Sequence, residues 1–226
     1  MNTADNIDGD VDGSVPHTSD ARLLAGASLR RLGNAVVAHQ ADDDLLTEIS
    51  ERADALASLV EAAPARTHAF LESGVNIFEA PVPEGDAGAR RTAFPDCVIS
   101  GRANPMGVAA RLWREGDEAV CRVTLGAAFE GAPGRAHGGI VAALIDETMG
   151  LVMSISSTPA FTGRLSVTYR APTPVGEPLE VRARLSDRTG RKMTITAELR
   201  SSERLLAEAE GLFIVVDPDR FFVAEE

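Results

Sequence analysis

Hydrophobic residues recur with two different periods along the chain, and the change of period divides it. Leu23, Leu24, Leu32, Val36 and Val37 make a loose helical stripe from Asp20 to His39, weakened by Gly26 and Gly33. A cleaner stripe of Leu45, Ile49, Leu56 and Val60 predicts a second helix from Asp43 to Ala62. Asp42, Asp43 and Asp44 suit its positive end, and Pro64 stops it. Together they predict a helical arm that packs on the main domain or on a partner subunit.

From about Gly107 the period becomes two. Ala119, Cys121, Val123 and Leu125 alternate with Val120, Arg122 and Thr124. The same alternation recurs at Leu165, Val167 and Tyr169, from Leu179 to Leu185, from Met193 to Leu199, and from Leu205 to Val215. These five runs predict an antiparallel sheet with one apolar face and one wetter face. Between the first run and the others lies His137 to Met153, in which only Asp146, Glu147 and Thr148 interrupt small or apolar residues after Gly139. A helix apolar on every side is a buried one. The economical architecture is α+β, with an antiparallel sheet wrapped around one central helix.

Composition narrows the partners. The 226 residues carry 22 basic against 34 acidic side chains, a net charge of −12. Residues 1–62 hold 12 of the acids and only four arginines. Such a balance argues against nucleic acid and anionic membrane surfaces, both of which need clustered Lys and Arg. No apolar run approaches the roughly 18 residues of a membrane span. Residues 1–19 are acidic and Gly-rich and are expected to be a disordered tail that resembles neither a secretory signal nor a transit peptide. The two cysteines, Cys97 and Cys121, offer no disulfide framework, so a cytoplasmic setting is expected. The expected division is tail 1–19, helical extension and linker 20–95, and main domain 96–226.

Chemistry concentrates on the central helix. Adjacent helical residues lie about 100° apart, so Asp146 and Glu147 cannot face one target. Gly138 and Gly139 open the helix directly after His137, and the unpaired N–H groups of a first turn suit an anion or a developing oxyanion. Gly131-Ala-Pro-Gly134 supplies a tight turn leading in. Eight residues of helix span about 12 Å, too far for Gly138 and Asp146 of one chain to act on one carbonyl carbon. If both act, the site is shared between subunits related by a two-fold axis.

These residues resemble a known family. Asn104-Pro-Met-Gly107, Gly134-Arg-Ala-His-Gly-Gly139, Leu144-Ile-Asp-Glu-Thr-Met-Gly150 and Tyr169-Arg-Ala-Pro172 are similar to hotdog-fold acyl-CoA thioesterases of the phenylacetate-pathway type. Gly190-Arg-Lys192 and Ala207-Glu-Ala-Glu-Gly211 fit as well. The resemblance implies hydrolysis of an acyl-coenzyme A or acyl-carrier-protein thioester without a cofactor, in a homodimer or dimer of dimers. It places the oxyanion donor on Gly138, the catalytic carboxylate, base or nucleophile, on Asp146, and its hydroxyl partner on Thr162. His137 then orients the carbonyl or supports the turn, and Gly139 and Glu147 lie beside the substrate, Glu147 with a structural hydrogen bond. The basic cluster Arg188, Arg191 and Lys192 could meet coenzyme A phosphates or form a solvated turn.

Two departures stand out. Gly131 occupies a position where many members carry Asn. Where related sequences carry Cys-x-x-Cys, this chain reads Cys97-Val-Ile-Ser100, which makes no zinc site, so no metal is expected. A hotdog hydratase or dehydratase and a non-catalytic acyl-CoA sensor or scaffold are the competing readings.

Overall fold

The computed structural model describes residues 18–66, 82, 84–86 and 94–217. Residues 1–17 of the expected tail, most of the linker and 218–226 lie outside the described residues. The N-terminal arm is two helices, α1 (Asp20–Ala38) and α2 (Asp43–Glu61). Ser19 caps α1 and Asp42 caps α2, whose Oδ1 accepts from the Leu45 N–H at 2.8 Å.

Six strands build the main sheet: β1 (Arg111–Glu115), β2 (Glu118–Thr124), β5 (Ala160–Tyr169), β6 (Pro178–Thr189), β7 (Lys192–Ser201) and β8 (Arg204–Val215). They run in the order β1-β2-β6-β7-β8-β5, every pair antiparallel. A short ribbon of β3 (Glu130–Ala132) and β4 (Arg135–Ala136) precedes the central helix α3 (Gly138–Ile155). The five periodic runs are β2, β5, β6, β7 and β8 of the main sheet; β1 is an addition. Its Leu112 enters the main core, while Trp113 packs with Val120 on the opposite face, so burial on both sides erased the alternation. The signal for it was Gly116-Asp117, a two-residue hairpin loop with Gly116 at φ 59°.

α3 lies across the sheet with Val141, Leu144, Ile145, Thr148, Met149, Val152 and Met153 buried. Leu179, Val181, Met193, Ile195, Leu199 and Phe213 face them. Gly211 makes the approach possible, because a Cβ there would stand 2.8 Å from Met149 Sδ and 2.7 Å from Phe213. By length and composition α3 is the one described helix that could cross a bilayer. Here it is the core helix of the sheet. Burial all round is not what one chain achieves, however: Ala142, Ala143, Asp146, Gly150 and Leu151 remain only half-buried.

The arm is anchored through α1. Gly26 is the buried residue of α1, and a Cβ on it would meet Ala103 O at 2.7 Å. Arg30 Nη1 donates to Arg102 O at 2.8 Å and Asn104 O at 2.5 Å. Burial, and then the charge of Arg102, hold its guanidinium below its ordinary pKa. Asn34 Oδ1 accepts from Ala128 N–H at 3.2 Å, in the short turn Ala127–Phe129 just before β3. α2 buries no residue and leaves Leu56, Leu59 and Val60 exposed.

Candidate active site

The opening of α3 is held from several directions. His137 is the N-cap, with extended backbone (φ −63°, ψ 133°), and its Nδ1 accepts from the Gly139 N–H at 2.9 Å. The acceptor role leaves the proton of the neutral ring on Nε2. The His137 N–H donates to Phe129 O, and the His137 carbonyl accepts from Ile140 and Val141. Among the described residues no acceptor takes the Gly138 N–H. Of the two glycines, Gly138 therefore offers its N–H outward and Gly139 spends its own on His137.

A cavity of about 490 Å³ opens here, lined in part by Gly131, Arg135, His137, Gly138, Val141 and Tyr169. Gly131 is packed against the ring that caps the helix: a Cβ there would lie 2.8 Å from His137 Cα and 3.0 Å from its Cδ2. No side chain fits at that position on this backbone, which accounts for the missing Asn.

At the other end, Thr162 Oγ1 donates to Asp146 Oδ1 at 3.0 Å. Strict alternation would place Thr162 on the outer face with Arg164 and Ser166. A bulge prevents this. Thr162 pairs with Phe213, Arg164 with Leu212 and Leu165 with Gly211, so the extra residue, Gly163, returns Thr162 to the helix-facing side with Leu165, Val167 and Tyr169. Glu147 points elsewhere, as adjacent helical positions require. It accepts from Ser100 Oγ and from Cys97 Sγ, the latter at 3.4 Å, and so ties the 97–100 loop to α3.

The thiol on the sheet side is different. Burial pushes Cys121 up to about 12, a hydrogen bond with Thr148 works against that, and the Glu147 charge adds to it. Of the basic cluster, Arg188 donates to Thr158 Oγ1 at 3.3 Å and Arg191 to Val215 O at 3.1 Å, both holding the β6–β7 turn in place. Lys192 is exposed.

One chain thus brings Asp146 to Thr162 and Gly138 to Tyr169, but not one pair to the other. A helix N-terminus with an outward N–H and a hydroxyl-bound carboxylate on the same central helix is equipment for acyl transfer. Comparison with known proteins agrees, because residues 133–208 match the thioesterase superfamily. The chain has the hotdog architecture, and residues 133–208 within it are similar to the thioesterase superfamily.

The chain is similar to acyl-coenzyme A thioesterase THEM4 of Mus musculus, 36% identical over 94 residues, which are 41% of this chain and 40% of that protein. The Bos taurus protein of the same name is 31% identical over 113 residues, 48% of this chain and 46% of its own length. The chain therefore spans less than half of these curated relatives. Protein RHA08564, described as a thioesterase superfamily protein, has a TM-score of 0.72 and 25% identity, over 89% of this chain and 93% of its own. That match reaches beyond residues 133–208 into the rest of the chain.

Two features escaped the sequence reading. The bulge at Gly163 is one, though a glycine inside a strand pattern is a known bulge signal. The other is the bond from Tyr169 OH to Gly138 O at 2.8 Å, which joins residues 31 positions apart and leaves no local trace.

Proposed function

We propose that the protein hydrolyses the thioester bond of an acyl-coenzyme A, with Asp146 and Thr162 directing attack and the Gly138 N–H receiving the oxyanion. The observation that carries this reading is the pair formed by the Thr162–Asp146 hydrogen bond and the outward Gly138 N–H on one helix. Water held by Asp146 and Thr162 loses its proton to Asp146 as it attacks the carbonyl carbon. The tetrahedral oxyanion rests on Gly138 N–H, and collapse expels the thiolate, which recovers the proton. If Asp146 is instead the nucleophile, a mixed anhydride forms and water cleaves it in a second step. An oxyanion donor contributes roughly 10² to 10³ in rate, and a placed base roughly 10² to 10⁴.

The active form in this reading is a dimer built on β5. That strand is a ten-residue edge with Phe161 and Tyr169 about half exposed, an open template for a second copy. Residues directly opposite in an antiparallel pair share a face. Self-pairing centred on Ser166 sets Leu165 opposite the partner's Val167 and Thr162 beside the partner's Tyr169. It joins the Asp146 end of one chain to the Gly138 end of the other, and the half-buried side of α3 meets its symmetry mate. Two free cysteines suit a reducing, cytoplasmic setting.

Complementation tests the shared site. Gly138→Pro removes the N–H at the first helical position, where proline is tolerated and the preceding residue is already extended. Asp146→Asn removes the carboxylate. Each variant alone should release thiol from acyl-coenzyme A at a small fraction of the wild-type rate. Dissociated and reassociated as an equal mixture, they should regain about a quarter of wild-type turnover, since half the dimers carry one intact site. No regain beyond the separate variants would refute the shared site, and near wild-type rates in both variants would refute hydrolysis at these residues.

A further inference from the structure

The two glycines that open α3 are the most permissive backbone in the site, and one peptide group lies between them. That peptide is gripped at both ends. Its carbonyl, Gly138 O, accepts from Tyr169 OH at 2.8 Å, and its N–H, on Gly139, donates to His137 Nδ1 at 2.9 Å. The preceding peptide, which carries the Gly138 N–H, has its carbonyl fixed by Ile140 and Val141. Both peptides that flank the Gly138 Cα are therefore held, one through His137 O and the other through the Tyr169–Gly138–Gly139–His137 bridge, and together they keep the Gly138 N–H in one direction.

We propose that Tyr169 is a positioning residue for the oxyanion hole, acting through the Gly138–Gly139 peptide. This rests on the thioesterase reading for its catalytic consequence and on geometry alone for the clamp. Tyr169 comes from the edge strand and His137 from the helix cap, so the clamp also pins β5 to the start of α3. The ring has little other work there: it is half exposed, and a Cβ on Gly138 would touch its hydroxyl only at an ordinary 3.4 Å. Fixed donors cost no reorganisation when charge develops, whereas a swinging one does.

Tyr169→Phe keeps the ring and deletes the hydroxyl. In the full-length protein with acyl-coenzyme A as substrate, kcat should fall about tenfold, with KM within about twofold and an unchanged unfolding midpoint. With 15N-glycine labelling, the Gly139 amide should exchange with solvent several-fold faster, because its peptide has lost one anchor. Gly139 exchange equal to wild type would overturn the clamp. Faster exchange with unchanged kcat would overturn its catalytic role, as would a lowered midpoint with kcat intact. Should the wild-type protein hydrolyse no acyl-coenzyme A, the thioesterase reading fails, and the amide exchange still decides the clamp.

Discussion

Asp146 and Glu147 are neighbours in sequence, both half-buried, and serve different sides of one helix. The edge-strand side holds Asp146 with one hydrogen bond, from Thr162, and leaves its other oxygen without a described partner. The loop side gives Glu147 two donors, Ser100 and Cys97, both on Oε1. A carboxylate tied by two donors to a loop holds structure together, whereas one with a single hydroxyl donor keeps more of its acceptor sites for water. In the proposed reaction it is the donors each acid meets, not burial or charge, that separate the two.

Three substitutions and one titration probe that contrast. Asp146→Asn should lower turnover by about 10² to 10⁴ while leaving the unfolding midpoint unchanged; steady-state thiol release and a thermal melt read both. Glu147→Ala should do the reverse. It strands Ser100, which is 5% exposed, at a cost of about 1–3 kcal/mol, so the midpoint should drop by several degrees while kcat changes little. If Glu147→Ala abolished turnover in folded protein and Asp146→Asn did not, the assignment of the two sides would be inverted. Thr162→Val keeps the branched shape and loses the donor, and kcat should fall about tenfold, with no change if Thr162 only packs.

The smallest effect concerns Cys121, on the sheet side of the same helix. Its thiol is raised from 9.0 to about 12, so the folded state holds its proton more tightly than the unfolded state. Stability from this group is complete below the unfolded pKa and is lost as pH rises from about 9 toward 12. Denaturant unfolding between pH 8 and 10 should show the midpoint falling, and less so in Cys121→Ala. Under native conditions at pH 8, a thiol reagent should leave Cys121 unmodified.

The three long helices show how far pattern reading reaches. The stripes that predicted Asp20 to His39 and Asp43 to Ala62 match α1 and α2 to within a residue, because capping and proline act locally. The same stripes could not say that α1 is anchored through Gly26, Arg30 and Asn34 while α2 buries nothing. α3 was legible as the central helix, yet its outer side is only half covered in one chain, since an apolar sequence does not state which molecule does the covering.

Sequence alone determined the three long helices, five of the six strands of the main sheet, the α+β class and the chemical types at Gly138 and Asp146, since these follow from local periodicity, capping and residue chemistry. It also determined that the two lie about 12 Å apart on one helix, a distance that any fold must respect. Only the tertiary structure decided which glycine N–H faces outward, which of two adjacent acids is tied to a loop, and that Thr162 faces the helix at all. Each depends on a contact between distant parts of the chain: His137 on Gly139 against the packed Gly131, Ser100 on Glu147, and one extra residue in β5 at Gly163. Side-chain direction in a strand changes with a single inserted residue, so the register that brings Thr162 to Asp146 is a property of the assembled sheet.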